Sequence, residues 1–205
     1  MNQQTRIVKT GRKYDQVLQG ARDVFMADGF EGASVDDIAR KAGVSKATLY
    51  SYFPDKRLLF REVVRTECER QACEADELVE TTCGPETVLY DTAHRIIAII
   101  LSDFSLQMFR ICVAESERFP ELGQEFYESG PMVLKRGLQE YLEDATARGE
   151  LKIDDVSLAA DQFAELCKAG WLLEAIFMHQ REFSDAERHR YAQGAVDTFL
   201  ARYRA

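Results

Sequence analysis

Two very short apolar segments that meet at one glycine constrain the fold of this chain most. The stretch from Ala33 to Phe60 reads ASVDDIARKAGVSKATLYSYFPDKRLLF. Ser34 and Ser45 each stand where an N-cap residue is favoured, and each precedes a run with the apolar spacing of a helix. Gly43 lies between the two runs, and glycine adopts without strain the left-handed conformation that ends a helix. The pattern therefore predicts two helices with a tight turn between them.

Helices at 35–42 and 46–52 joined by a turn of about three to four residues would form a helix-turn-helix. Leu49 faces inward, whereas the outer surface of the second helix carries polar side chains and one methyl group. Hydroxyl and ammonium groups donate to phosphate oxygens and base edges, and a methyl group can contact the thymine methyl. The pattern thus favours DNA recognition through this outer surface, which consists of Lys46, Ala47, Thr48, Tyr50, Ser51 and Tyr52.

The charge distribution also favours a polyanionic partner at the N-terminal end. Residues 1–66 contain 12 Lys and Arg against 8 Asp and Glu, whereas residues 67–205 contain 14 against 27. Residues 1–13 carry four cations and no acid, so we expect a basic arm there. A solvated terminus would explain this arm equally well if it stood alone.

The rest of the chain has helical periodicity throughout. An apolar face at 14–28 predicts a first helix that precedes the helix-turn-helix. Asp55 is expected to cap a fourth helix that runs from Lys56 to about residue 80. Further helices are predicted from Pro85 and over 104–118, 121–148 with a potential break at Gly130–Pro131, 155–179 and 184–204. The predicted fold class is therefore all-α.

The segment VDDIARKAGVSKATLYSYFPDKRLLF, with ARDVFMADGF before it, resembles the DNA-binding domain of the TetR/AcrR family of bacterial regulators. The resemblance implies a three-helix helix-turn-helix domain at 1–60 and a helical ligand-binding and dimerisation domain at 61–205. It implies a ligand-responsive repressor that binds a pseudo-palindromic operator in double-stranded DNA as a homodimer. The later stretch AESERFPELGQEFYESGP is similar to a subgroup with an AefR-like C-terminal domain.

The resemblance also assigns DNA contacts by position. Ser34 and Lys56 are expected to contact phosphates, and the second helix of the motif supplies base and backbone contacts. Ser51 stands where a larger His or Tyr is common in the family, which alters the base readout at that position. The implied DNA-binding residues are Ser34, Ser45, Lys46, Ala47, Thr48, Tyr50, Ser51, Tyr52 and Lys56.

A stripe of large apolar side chains in the C-terminal part is a candidate effector pocket. The family holds small molecules between the helices of this domain, although an ordinary core would produce the same stripe. No Arg or Lys lies clearly within these apolar faces, so we expect a largely apolar effector. The candidate ligand-binding residues are His94, Ile97, Phe104, Met108, Cys112, Phe126 and Trp171.

The last two predicted helices carry more apolar surface than one side of a helix needs. Packing within the same chain would use this surface, but the family resemblance favours pairing with a second copy as a four-helix bundle. Small residues there would allow a close approach. The candidate dimer residues are Leu166, Gly170, Leu173, Phe177, Ala195 and Phe199.

Other classes of function are weakly indicated. No GxSxG, P-loop, GxGxxG or HExxH motif occurs, so no catalytic residue, metal or cofactor is predicted. Cys68 lies near Arg70, which leaves open a small-molecule-binding or cysteine redox-sensing protein without DNA function. The longest apolar run, Ile96–Leu101, has six residues, and the N-terminus lacks a secretory segment. We therefore expect a cytoplasmic protein with no membrane partner.

Overall fold

The computed structural model describes residues 11–76, 84–178 and 182–205, with the backbone alone at 73–76. Its regular elements are helices, and the only strand-like pairing in these ranges is an isolated antiparallel bridge between Leu151 and Arg204. The predicted all-α fold is confirmed. In the same ranges no single helix is long and apolar enough to span a membrane, and only the bent pair Pro85–Ile100 and Asp103–Ala114 reaches that length and composition together.

Eleven helices are present in the described ranges. They are α1 Arg12–Gly32, α2 Val35–Ala42, α3 Lys46–Tyr52, α4 Lys56–Asp76, α5 Pro85–Ile100, α6 Asp103–Ala114, α7 Pro120–Ser129, α8 Pro131–Ala147, α9 Val156–Lys168, α10 Leu172–Phe177 and α11 Asp185–Tyr203. The first turn of α4 is capped by Asp55, whose carboxylate accepts from the N–H groups of Arg57 and Leu58 at 2.8 and 3.0 Å. Ser184 caps α11 through a complete capping box with Glu187. The ten residues at the start of the predicted basic arm lie outside the described residues.

Two predicted helices are each interrupted. The predicted helix over 121–148 is two helices, because Pro131 begins α8 and cannot donate a hydrogen bond to the preceding turn. The predicted helix over 155–179 ends at Lys168, and Gly170 takes a φ of 87° before α10 begins. This second break changes the direction in which the side chains after Gly170 point.

The chain forms two compact units that do not follow the predicted boundary after residue 60. The first unit contains the chain up to Glu69 together with Gln107–Ser129, and the second contains Arg70–Leu106 and Gly130–Ala205. The segment with α7 and most of α6 thus belongs to the same unit as the helix-turn-helix. The functional division between 1–60 and 61–205 stays a prediction.

The core of the first unit is an aromatic cluster. The ring of Phe60 lies 5.1 Å from that of Phe25 and 5.4 Å from that of Phe30, and Phe119 lies 5.0 Å from Phe30. Surface ion pairs accompany this packing, including Arg61 with Glu125 at 2.8 Å. The cluster holds α1, α4 and the start of α7 together.

The core of the second unit contains two of the predicted dimer residues. Phe199 is buried, and its ring lies 5.1 Å from Phe163 and 4.7 Å from Tyr203. Ala195, one turn earlier in α11, is also buried. Both side chains belong to the core of their own chain, and the prediction that Ala195 and Phe199 contact a partner stays a prediction.

Candidate nucleic-acid interface

The helix-turn-helix is held against α1 by an unusually close helix contact. A Cβ atom built on Gly20 would lie 2.7 Å from the backbone nitrogen of Ala42 and 2.8 Å from its Cβ. Glycine is therefore the only residue type at position 20 that permits α1 and α2 to cross at this distance. Gly20 could not be found from the sequence, because it gives no signal in the helical pattern of α1.

The turn between α2 and α3 has the geometry that the sequence predicts. Gly43 has a φ of 65°, its N–H donates to the carbonyl of Arg40 at 3.2 Å, and the N–H of Val44 donates to that of Ala39 at 3.0 Å. These two bonds form a Schellman motif, which satisfies carbonyl groups at the end of α2. Ser45 then begins α3 by accepting the N–H of Thr48 at 3.1 Å.

The short helix α3 buries one side and exposes the other. Leu49 is buried, as is Phe53 directly after the helix. Tyr50 is 49% exposed. Of the other predicted DNA-binding residues, Ser45, Lys46, Ala47 and Ser51 are exposed, whereas Ser34, Thr48, Tyr52 and Lys56 are half-buried. The exposed side is polar and free of large apolar side chains other than the tyrosine, as the prediction required.

Local hydrogen bonds orient several of the polar groups on α3. The hydroxyl groups of Ser45 and Thr48 lie 2.9 Å apart, and the Ser51 hydroxyl donates to the Thr48 carbonyl at 2.6 Å. The ammonium group of Lys46 forms an ion pair with Asp36 in the first turn of α2. Each hydroxyl oxygen keeps acceptor capacity, so these bonds narrow the orientations of the groups without removing them from contact with a ligand.

A buried polar network connects α1 with α4 behind the exposed surface. The Tyr14 hydroxyl donates to the carboxylate of Glu62, and Arg65 donates to the same carboxylate at 2.6 Å. Burial, followed by this bond to Glu62, raises the pKa of Tyr14. The ring of Tyr52 packs edge-on against Tyr14 at 5.7 Å, so Tyr52 serves the packing of α3 as well as its surface.

Lys56 has partners that differ from the expected phosphate. Its Nζ donates to the backbone carbonyls of Phe30 at 2.7 Å and Ala33 at 3.0 Å, with a longer contact of 3.4 Å to Glu31. It also lies 4.6 Å from the centre of the Phe30 ring. An ammonium group has three N–H donors, and three backbone carbonyls lie within reach of them. The expected phosphate contact stays a prediction.

The candidate ligand-binding residues are divided between the two compact units. His94, Ile97, Phe104 and Trp171 belong to the second unit, whereas Met108, Cys112 and Phe126 belong to the first. The Trp171 indole donates to the Cys167 carbonyl at 2.8 Å, and Ile97 belongs to the same buried core.

His94 is the polar member of this candidate set. Its ring lies 4.7 Å from Tyr90 and 4.5 Å from His189. Its Nε2 atom is buried and has no hydrogen-bond partner among the described residues. Burial, followed by the neighbouring His189, lowers the pKa of His94 and favours the neutral imidazole.

The remaining candidate dimer residues fall outside the core. Leu173 is 67% exposed and Phe177 is 76% exposed, whereas Leu166 is half-buried and Gly170 is exposed. Two further exposed apolar residues, Leu158 and Met178, belong to the same compact unit.

The cysteines with described side chains do not suit redox sensing. Cys68, Cys112 and Cys167 are buried, and burial raises the pKa of each thiol to about 12. A thiol of this kind is almost wholly protonated at neutral pH and is therefore a poor nucleophile. In the described ranges no group of three metal-ligating side chains is close enough to hold an ion.

Comparison with known proteins identifies both parts of the chain. Residues 17–63 match the profile described as bacterial regulatory proteins, tetR family, and residues 87–205 match the profile described as AefR-like transcriptional repressor, C-terminal domain. The uncharacterised HTH-type transcriptional regulator YhgD of Bacillus subtilis is 26% identical over 148 residues, which cover 70% of this chain and 74% of YhgD.

Two solved structures share the whole architecture. One is a proposed TetR-family transcriptional regulator from Mesorhizobium loti, with 32% identity and a TM-score of 0.85 over 95% of this chain and 98% of that one. The other is the flavonoid-responsive regulator FrrA, with 34% identity and a TM-score of 0.81 over the same shares of the two chains.

Proposed function

We propose that this chain, which belongs to the TetR family of bacterial regulatory proteins and is a DNA-binding transcriptional regulator, is a repressor. It would bind a pseudo-palindromic operator as a homodimer, and a small molecule would release it from the DNA. The observation that carries the proposal is the polar, exposed side of α3. This helix follows the turn at Gly43, and the N-caps Ser34 and Ser45 begin α2 and α3. A helix presented in this way fits the major groove of B-DNA. The repressor role is supported by the AefR-like repressor profile over the C-terminal residues.

The DNA contacts are proposed to come from α3 and the first turn of α2. Tyr50 and Ala47 are exposed side chains of α3, so they are available for base edges. Lys46 can exchange Asp36 for a phosphate, because an exposed ion pair contributes only about 0–1 kcal/mol. Binding should weaken linearly on a log–log scale with added salt.

Tyr50→Ala is expected to weaken operator binding by about 1–3 kcal/mol, or about 5- to 150-fold, because it removes the largest exposed side chain of α3. Fluorescence anisotropy with a duplex selected by the wild-type protein from a random-sequence pool measures the change. Tyr127→Ala is the matched control, since Tyr127 is 55% exposed on α7. Equal affinities for the wild type and the Tyr50→Ala variant would contradict the proposed interface.

A second copy is proposed to cover the exposed apolar residues of the second unit. Leu158, Leu173, Phe177 and Met178 are large apolar side chains that a monomer would leave in water. Two recognition helices held about 34–36 Å apart would read two half-sites of a pseudo-palindrome. A homodimer therefore accounts both for the apolar surface and for the number of base pairs that specific recognition requires.

The effector is proposed to be a largely apolar, aromatic small molecule. FrrA, which is 34% identical to this chain, is described as flavonoid-responsive, so flavonoids are the first compounds to test. His94 would supply a polar anchor, because its buried Nε2 has no hydrogen-bond partner in the part of the chain that the structure describes and its lowered pKa favours the neutral imidazole. A phenolic hydroxyl could occupy this free hydrogen-bonding position.

Titration with a flavonoid panel is expected to change the fluorescence of Trp171, the single tryptophan of the chain. An active compound should weaken operator binding by about 1–3 kcal/mol, which is the usual size of an allosteric coupling. His94→Leu should weaken the binding of a phenolic compound more than that of its methyl ether, because only the phenol loses a hydrogen bond. A compound that binds tightly and leaves DNA affinity unchanged would not be the effector.

A further inference from the structure

Lys56 stands at a position where the helix dipole disfavours a cation. It is the first residue of α4, and the N-terminal end of a helix carries partial positive charge. A bound phosphate would remove this unfavourable interaction, and the family resemblance assigns Lys56 such a contact. The structure supplies a different negative partner from within the chain.

The partners of Lys56 are carbonyl groups at the end of α1 and in the link to α2. The Phe30 and Glu31 carbonyls follow Gly29, whose φ of 72° interrupts α1, and Ala33 precedes the N-cap of α2. Carbonyls at the end of a helical segment have no partner within it, and the Lys56 ammonium group supplies the donors that they lack. The Phe30 ring beside the ammonium group adds a cation–π contact.

We propose that Lys56 is a positioning residue that orients the recognition helix, and that it does not bind phosphate. Three residues lie between the end of α3 at Tyr52 and the first residue of α4 at Lys56. A bond from Lys56 to the link between α1 and α2 therefore fixes the C-terminal end of α3 relative to α2. The inference rests on the proposed DNA interface, because the effect on DNA passes through α3.

The two roles of Lys56 predict different changes in DNA binding. A side chain that contacts a DNA phosphate strengthens the binding of every DNA sequence alike. It contributes about 0.9 to the slope of log K against log salt concentration. A positioning residue leaves phosphate contacts in place and acts on the base contacts, which require an accurately placed helix. Its loss should therefore lower the ratio of operator affinity to random-DNA affinity.

The test compares Lys56→Met with Lys46→Met, which removes the same charge and the same donors from an exposed position on α3. Binding is measured by anisotropy at several salt concentrations, with the selected duplex and a random duplex, well below the melting temperature. For Lys56→Met we expect operator affinity to fall about tenfold with little change for random DNA, a slope like that of the wild type, and a melting temperature lower by about 4 °C or more. For Lys46→Met we expect a slope shallower by about 0.9 and an unchanged melting temperature.

Lys56→Arg keeps the test decisive if Lys56→Met folds poorly. Arginine retains the charge and binds phosphate well, but its planar guanidinium group cannot converge on the three carbonyls as an ammonium group does. We expect Lys56→Arg to keep the reduced affinity ratio. Full recovery by Lys56→Arg, or an equal loss on both duplexes with a shallower slope for Lys56→Met, would show a phosphate contact and overturn the proposal.

Two further outcomes would also overturn it. If Lys56→Met lowers only the melting temperature and the folded protein keeps the wild-type affinity ratio, Lys56 is a structural cap with no positioning role. If the wild-type protein selects no duplex, the proposed DNA interface fails and this inference fails with it. The melting temperatures of the variants would then still show whether Lys56 stabilises the protein through its bonds to the carbonyls, because that measurement does not involve DNA.

Discussion

Gly20→Ala is expected to lower the free energy of unfolding by about 2 kcal/mol or more, as over-packing of a core does. The added Cβ would lie 2.7–2.9 Å from the nitrogen, Cβ and Cα atoms of Ala42, two of which are backbone atoms that no side-chain rotation can move. Helices α1 and α2 must therefore separate. Thermal unfolding measures the change, with a fall in melting temperature of about 4–8 °C for a chain of this size.

The same substitution should weaken operator binding at least about tenfold, because α2 carries the turn that orients α3 and base contacts tolerate little misplacement. Gly137→Ala is the matched control. Gly137 lies within α8, and a Cβ there meets no atom within 4 Å. That change should leave DNA binding unaltered and stabilise the helix by about 0.5–1 kcal/mol. Equal stability of the two variants would show that α1 and α2 do not cross as closely as described.

A double change, Leu173→Glu with Phe177→Glu, is expected to make the protein monomeric and to reduce operator affinity by about 10²–10⁴-fold. The affinity falls because a dimer that binds two linked half-sites together binds more tightly, by this factor, than a monomer that binds one half-site. Both side chains are mostly exposed in the single chain, so the charges should not disturb its own core. Sedimentation at micromolar concentration measures the oligomeric state, and anisotropy measures operator binding.

The control for this prediction is Phe109→Glu with Val113→Glu, which adds the same two charges to exposed apolar positions of α6 in the first unit. We expect it to sediment as the wild type does. A monomeric wild type would contradict the homodimer, and a double variant at Leu173 and Phe177 that remains dimeric would place the interface elsewhere. Phe199→Glu is unsuitable as a test, since it would bury a charge in the core and unfold the chain.

The helix-turn-helix could be predicted from the sequence because its signals are local. Ser34, Gly43 and Ser45 satisfy backbone groups no more than five positions away in the chain. Caps and turns of this kind act whatever lies around them. The exposed side of α3 follows from the same local pattern, because the inward positions of a short helix are set by its apolar residues.

The side of a helix that faces a partner could not be predicted in the same way. A continuous helix over 155–179 would have placed the side chains around Gly170 on one regular face. The positive φ of Gly170 begins a new helix, so Leu173 and Phe177 point outward. In α11 the apolar stripe that suggested a dimer contact, with Ala195 and Phe199, fills the core of its own chain. Apolar periodicity indicates that a face is buried but does not indicate what covers it.

The sequence by itself determined the class of fold, the helix-turn-helix and the polar character of the exposed side of α3. Only the tertiary structure decided that Ala42 packs directly against Gly20 and that Lys56 binds the carbonyls of Phe30 and Ala33. Residues in these contacts are separated by 22, 26 and 23 positions along the chain. Propensity, capping and periodicity act within about four to eight residues. Contacts at longer separations exist only once the helices have packed, because packing alone brings their atoms within reach.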